Sequence, residues 1–349
     1  MPLFKTEPTT NVADLISKLN TFLTTAGAGN PAWTADVHTP GSGRWAISKD
    51  DGAGQSVEVA FQWDTASPNA LGIYQYHTGL GAGSYNTGGG TVPYDQDGDS
   101  GQGALSTTDA TLDNARSVLL TSAPVQYWCF TDDVASAYIV VESSAGTYQH
   151  FGFGVLTKFN DWTGGEFCYG QYNFGGTSSS AGLMTSSSHL LDGLTATSTY
   201  AASLHMEGFS DTPTNGLWAV CGNDATPGND RQGTPVARHL VHGGFRAGPH
   251  ATYFGDFPGD LATGLIPTYP IVAYHADIDA SGTSSLNGSF TPMGYMPSVR
   301  GISLENFVDE QEVVIGSDTW QMFPSWKNSL GGATLNTSAY QGILYKKHT

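Results

Sequence analysis

The stretch from Ala137 to Thr157, AYIVVESSAGTYQHFGFGVLT, limits what this chain can become more than any other. Tyr138, Val140 and Glu142 alternate with Ile139, Val141 and Ser143. β-branched and aromatic side chains dominate, and these suit a pleated surface. Ser144-Ala145-Gly146 breaks the run, and Gly146 can take the positive φ of a tight turn. Tyr148, His150 and Phe151 then lead into Phe153, Val155 and Leu156. The pattern predicts a β-hairpin at the centre of a β-rich core, with both arms apolar enough to be buried on at least one face. Gly152 and Gly154 mark a bulge or a close backbone approach, so valine at 154 is expected to crowd a neighbouring strand.

The rest of the composition agrees with short strands joined by turns. The 349 residues suffice for one large β domain or two smaller ones. There are 45 glycines, and only 13% of residues are charged. A formal net charge of -18 repels phosphate, so nucleic acid is not an expected partner. Cys129, Cys168 and Cys221 are odd in number and share no CxxC spacing, which fits buried free thiols better than a disulfide scaffold. No apolar run has the length to span a membrane, and the N-terminus lacks the basic and apolar regions of a secretory signal. Folding in a cytoplasm without membrane insertion is the expectation.

Along the chain, Thr10-Asn11 precedes Val12, Leu15, Ile16, Leu19, Phe22 and Leu23, six apolar residues on one helical face. Thr10 or Asn11 supplies the cap, and AGAGNP ends the helix near Gly27. That face packs on its own domain or docks on a neighbouring subunit. Strands are expected around Trp33–Val37, Arg44–Ser48, Val57–Trp63 and Leu71–His77, an antiparallel meander beside the helix. Thr78 to Thr111 reads as a long polar loop. Within it Asp95, Asp97 and Asp99 flank Gly98, part of a calcium-loop pattern without its closing Glu or flanking helices. A solvated loop is the simpler reading, and a structural Ca²⁺ or Na⁺ is the alternative.

Ser117–Ser122 and Val125–Phe130 give two further strands before the central hairpin. Thr234 to Tyr253 holds His239, His242 and His250 with Arg238 and Arg246. His-x-x-His would pair two imidazoles on a helix, but Gly243-Gly244 and Pro249 argue against one, and no third ligand is evident. Trp218–Cys221, Tyr269–Asp277 and Ser284–Thr291 read as short strands or extended loops, and Gly301–Asp309 as turn-rich. Val313–Ile315 and Thr319–Phe323 form a second hairpin across Gly316-Ser317-Asp318, and Ser338–Tyr345 returns as the last strand. The tail Lys346-Lys347-His348 keeps that strand soluble or pairs with an acidic neighbour.

The expected fold is therefore mainly β, an antiparallel sandwich or meander core with one N-terminal amphipathic helix and long Gly/Ser-rich loops. Its expected divisions are the helix at 1–27, a β-rich core at 28–174, a loop-rich insertion or second lobe at 175–300, and a C-terminal hairpin and strand at 301–349 that complete the core.

A set of local features points further. A Tyr127-Trp128 strand enters a hairpin whose second arm reads Tyr-x-His-x-Gly-Phe-Gly. WTGGEFCYGQY follows from Trp162, DLISKLNTFL stands upstream from Asp14, and Phe323-Pro324-Ser325-Trp326 and YQGILYKK close the chain. This set resembles virion structural proteins of tailed bacteriophages, a loosely defined group. The resembling segments cover about half of the chain and leave out Gly175 to Arg300. The resemblance implies a tail, baseplate or neck subunit, partnered by copies of itself in a symmetric ring and by other virion proteins. It supplies no catalytic residues.

The residues leave other functions open. A receptor- or carbohydrate-binding surface protein would use exposed aromatics such as Trp162. A capsid decoration protein reads the same way as a tail part. A glycan hydrolase would need two carboxylates, and Asp132, Asp133, Glu142 and Glu166 lie near the hairpin. There is no GxSxG, HExxH or phosphate-binding glycine motif, so no enzymatic role and no cofactor is expected.

Overall fold

The computed structural model describes residues 3–25, 32–52, 56–63, 70–76, 116–119, 124–132, 134–162, 164–170, 172–173, 180–181, 202–206, 217–221, 237–242, 268–277, 290–303, 307–324 and 341–348. These residues are mainly β, arranged in antiparallel sheets with one α-helix.

A short strand β1 (Phe4–Pro8) precedes the helix α1 (Val12–Leu23). Asn11 caps the helix, its Oδ1 accepting from the Asp14 amide at 2.9 Å. The Asp14 carboxylate in turn accepts from the Thr10 amide at 3.0 Å and pairs with Lys18 one turn on at 2.9 Å. All six apolar residues of the helical face are buried. A meander follows: β2 (Thr34–Thr39), the 3₁₀ turn Pro40–Ser42, β3 (Arg44–Asp50), β4 (Ser56–Trp63), β5 (Ala70–Tyr76) and β6 (Arg116–Leu119), paired in that order.

The central strands are β7 (Gln126–Thr131), β8 (Ala137–Ser144), β9 (Thr147–Val155), β10 (Thr157–Lys158) and β11 (Gly164–Gly170). The expected hairpin is β8–β9, closed by Ala145-Gly146 with Gly146 at φ 69°. Two short strands, β12 (Tyr172–Asn173) and β13 (Ser180–Ala181), pair with each other. β14 (Ala202–Met206) and β15 (Leu217–Cys221) extend the central sheet, whose order is β1-β7-β8-β9-β11-β14-β15. β16 (Ala237–His242), β17 (Thr268–Asp277), β18 (Phe290–Ser303), β19 (Glu312–Ile315), β20 (Asp318–Pro324) and β21 (Gln341–Lys347) make a C-terminal sheet ordered β16-β17-β18-β21-β20-β19, with β10 also paired to β18.

The central sheet has an apolar partner on each face. Tyr127, Cys129, Ile139, Val141, Phe151 and Phe153 share one buried cluster with α1 and with Trp45, Val59, Phe61 and Ile73 of the meander. Phe61 meets Phe153 edge-on at 5.6 Å, and Trp33 meets the same ring at 5.2 Å. The alternate residues face the C-terminal sheet: Trp128 lies 5.0 Å from Phe323, and Phe130 stacks on Tyr345 at 5.1 Å. A strand covered on both faces needs apolar residues at successive positions, which is why β8 reads as a nearly continuous apolar run.

Two segments depart from the sequence expectation. β1 is short and polar and gains its strand state only by pairing with β7, Phe4 opposite Phe130. β18 runs through Gly301 to Ser303, where a turn-rich segment was expected. Its prolines and glycines act as breakers by local rules. In the fold, a Cβ at Gly294 would lie 2.6 Å from the Thr157 carbonyl oxygen, so the glycine admits β10. Past the Pro297-Ser298 bend the strand pairs with β21 instead.

Candidate functional site

A set of polar side chains ties the central sheet to the C-terminal sheet, with the buried His150 among them. β9 presents His150 between two strands of the opposite layer. Its Nε2 is 2.9 Å from the Pro324 carbonyl oxygen and its Nδ1 is 2.9 Å from the Tyr345 hydroxyl. A carbonyl can only accept, so Nε2 carries the proton and Tyr345 donates to Nδ1. Burial drives the imidazole pKa down to about 4, against the opposing pull of the bond to Pro324.

Three more bonds tie the same layers. Tyr138 on β8 donates to the Pro297 carbonyl at 2.6 Å, beside Ser298 at φ 61°. Tyr148 on β9 donates to Glu310 Oε1 at 2.7 Å, and Glu310 stands at φ 63°. Burial, and then that bond, push the Tyr148 phenol pKa up. Trp162 donates its indole N–H to the Met293 carbonyl at 3.0 Å. At the outer margin Lys346 pairs with Asp318 at 2.9 Å and Lys347 with Glu312, so the basic tail is tied to its own sheet.

The candidates named from sequence are dispersed. Asp95, Asp97 and Asp99 lie outside the described residues, as do Asp133, Arg246 and His250. Arg238, His239 and His242 are on β16, an extended strand, so the helical spacing that would pair the histidines does not arise. Asp132 is buried and shapes the turn into β8, accepting from the Ser136 amide at 2.7 Å and the Val134 amide at 3.1 Å. Burial raises its pKa, with those bonds pulling the other way. Glu142 closes the hairpin turn by accepting from the Gly146 amide at 2.9 Å. Glu166 is buried in β11 opposite Val155. The structure therefore gives Asp132 and Glu142 separate local tasks at opposite ends of β8. Cys129 and Cys168 are buried free thiols, and Cys221 is in β15.

Trp162 is half-buried, with its N–H spent on Met293 and the Lys158 ammonium 5.5 Å from its ring. The exposed ring of that loop is Phe159, 48% accessible and 5.8 Å from Tyr295. Among the described residues no group of three or more His, Cys, Asp or Glu side chains could hold a metal ion, and no helix is long and apolar enough to cross a membrane. The His150 site escaped sequence reasoning because its partners are 174 and 195 residues away. A histidine at an apolar-facing position of a strand was the one available signal.

No protein-family model matches this chain, and no curated protein matches it.

Proposed function

We propose that the chain is a structural subunit of a tailed-phage virion, in the tail, baseplate or neck, which assembles with copies of itself into a symmetric ring and with other virion proteins. In this reading it is virion-localised, assembled in the host cytoplasm, and works by surface fit, with no catalytic step. The layers act as a β-sandwich core whose N-terminal amphipathic helix belongs to the subunit itself.

The observation that carries the proposal is the outer margin of the C-terminal sheet as the described residues show it. β19 is its last strand and pairs only with β20 among the described residues. Val314 on that strand is 71% exposed, and Val308, in the turn leading into it, is 69% exposed. An unprotected strand edge with apolar side chains is a template for pairing with another chain. Lys346 and Lys347 clamp the hairpin from β21, so the edge is presented in a fixed shape.

Light scattering after gel filtration, followed by electron microscopy, tests this. A closed ring is expected, and Val314→Lys is expected to dissociate it without unfolding the subunit. A monomer at every concentration refutes the reading. The alternative of a receptor- or carbohydrate-binding protein draws on Phe159. It requires glycan-array binding that Phe159→Ala abolishes.

A further inference from the structure

The His150 site is built for the neutral imidazole. Pro324 O fixes the proton on Nε2, and the Nδ1 lone pair receives the Tyr345 hydroxyl proton. A second proton, on Nδ1, would face that hydroxyl hydrogen. The phenol would have to turn, and a full charge would sit against the Tyr345 ring stacked 5.9 Å away and the Phe323 ring at 6.4 Å.

We propose that His150 is an acid-sensitive latch that fastens β20 and β21 to the central sheet, and that its protonation loosens the C-terminal sheet from the layer beneath. An independent feature of the same interface agrees. Ser298 and Glu310 are the non-glycine residues at positive φ among those described. Each adjoins or makes one of the interlayer bonds, from Tyr138 to Pro297 O and from Tyr148 to Glu310. Backbone held in that region persists only while its surroundings enforce it, so parting the layers releases strain. The depressed pKa of the buried imidazole supports the direction of the switch.

The titratable groups around the latch are tied elsewhere. Tyr138 of β8 donates to Pro297 O, and Tyr148 of β9 engages Glu310. On the outer strands Lys346 pairs with Asp318, Lys347 pairs with Glu312, and Arg300 of β18 lies over the Trp320 ring at 5.3 Å. Opening would present Trp128, Phe130, Phe323 and Tyr345, an aromatic surface suited to an apolar partner.

Hydrogen exchange of the full chain between pH 7 and pH 4.5, read as protection factors, tests the latch. Wild type is expected to lose roughly fifty- to a hundredfold protection in β20 and β21 by pH 4.5, the change linkage allows for an imidazole that titrates normally once exposed. His150→Gln keeps a donor for Pro324 O and an acceptor for Tyr345 but cannot be charged, so its protection there should hold. Equal pH profiles in the two proteins overturn the proposal. If the variant fails to fold, the wild-type imidazole is followed by NMR. Protection that falls from about pH 6.5 and levels off at the pH where NMR shows the native imidazole protonated supports the latch, and a fall outside that window overturns it.

Discussion

Gly154→Ala tests the packing of the central hairpin at its tightest point. A Cβ built on Gly154 lies 2.3 Å from Ser136 Oγ, 2.6 Å from Ser136 Cβ and 2.7 Å from Ser136 Cα. The hydroxyl could rotate away, but the Cα cannot leave without moving the entry to β8. That entry is pinned twice, by the Ser136 amide on Asp132 Oδ1 at 2.7 Å and by the Asp132 amide on the Ser136 carbonyl at 3.2 Å. Ala137, next in line, pairs with Phe153. Overpacking of this kind costs roughly 1–3 kcal/mol, and a backbone contact places it in the upper half of that range. Gly154 also stands at φ 158°, where alanine is strained, so the gain of about 0.5 kcal/mol that alanine brings at a compatible position does not offset the clash. A net loss of about 2 kcal/mol is expected, equivalent to a fall in Tm of about 3 °C for a cooperative unit of this length. Urea denaturation and calorimetry measure it. Ser136→Gly removes two of the three crowding atoms, so in the Gly154→Ala background it should recover at least about 0.5 kcal/mol relative to its own effect alone. A Gly154→Ala protein as stable as wild type, or strict additivity of the two changes, refutes the argument.

Other consequences are as direct. Leu15→Ala should cost about 2–5 kcal/mol, because Leu15 is fully buried in the cluster shared with both sheets, and deletion of residues 1–25 should unfold the subunit rather than merely block assembly, read by circular dichroism. Asn11→Ala removes the helix cap and should cost about 1 kcal/mol by the same measurement. Tyr138→Phe leaves Pro297 O without its donor and should cost about 1–3 kcal/mol in urea. The His150 pKa is lowered from 6.5 to about 4, so its contribution to stability is whole above pH 6.5 and is lost as pH falls toward 4, about 3 kcal/mol in all. Asp132, with its pKa raised, works in the opposite sense at low pH, so the difference between wild type and His150→Gln isolates the histidine.

The elements that could be read directly are those closed by neighbours in sequence. The β8–β9 and β19–β20 hairpins each carry their own turn, with Gly146 at φ 69° and Gly316 at φ 65°, and α1 carries its cap and its apolar period within fourteen residues of chain. Strand edges differ by only a few residues from expectation in β3, β4 and β20. His239 and His242 stand on the strand β16, in keeping with the Gly243-Gly244 and Pro249 breakers that argue against a helix there.

What the sequence alone determined was the type of each locally closed element and the turns between them, because hydrophobic period, caps and positive-φ glycines act over a few residues. The tertiary structure decided which faces of the central sheet are covered, why Gly154 and Gly294 must lack side chains, and how β1 and β18 come to be strands. It also decided that His150 is an interlayer tie. Each of those outcomes depends on a partner supplied by a distant part of the chain, and no local pattern encodes which distant residue will arrive.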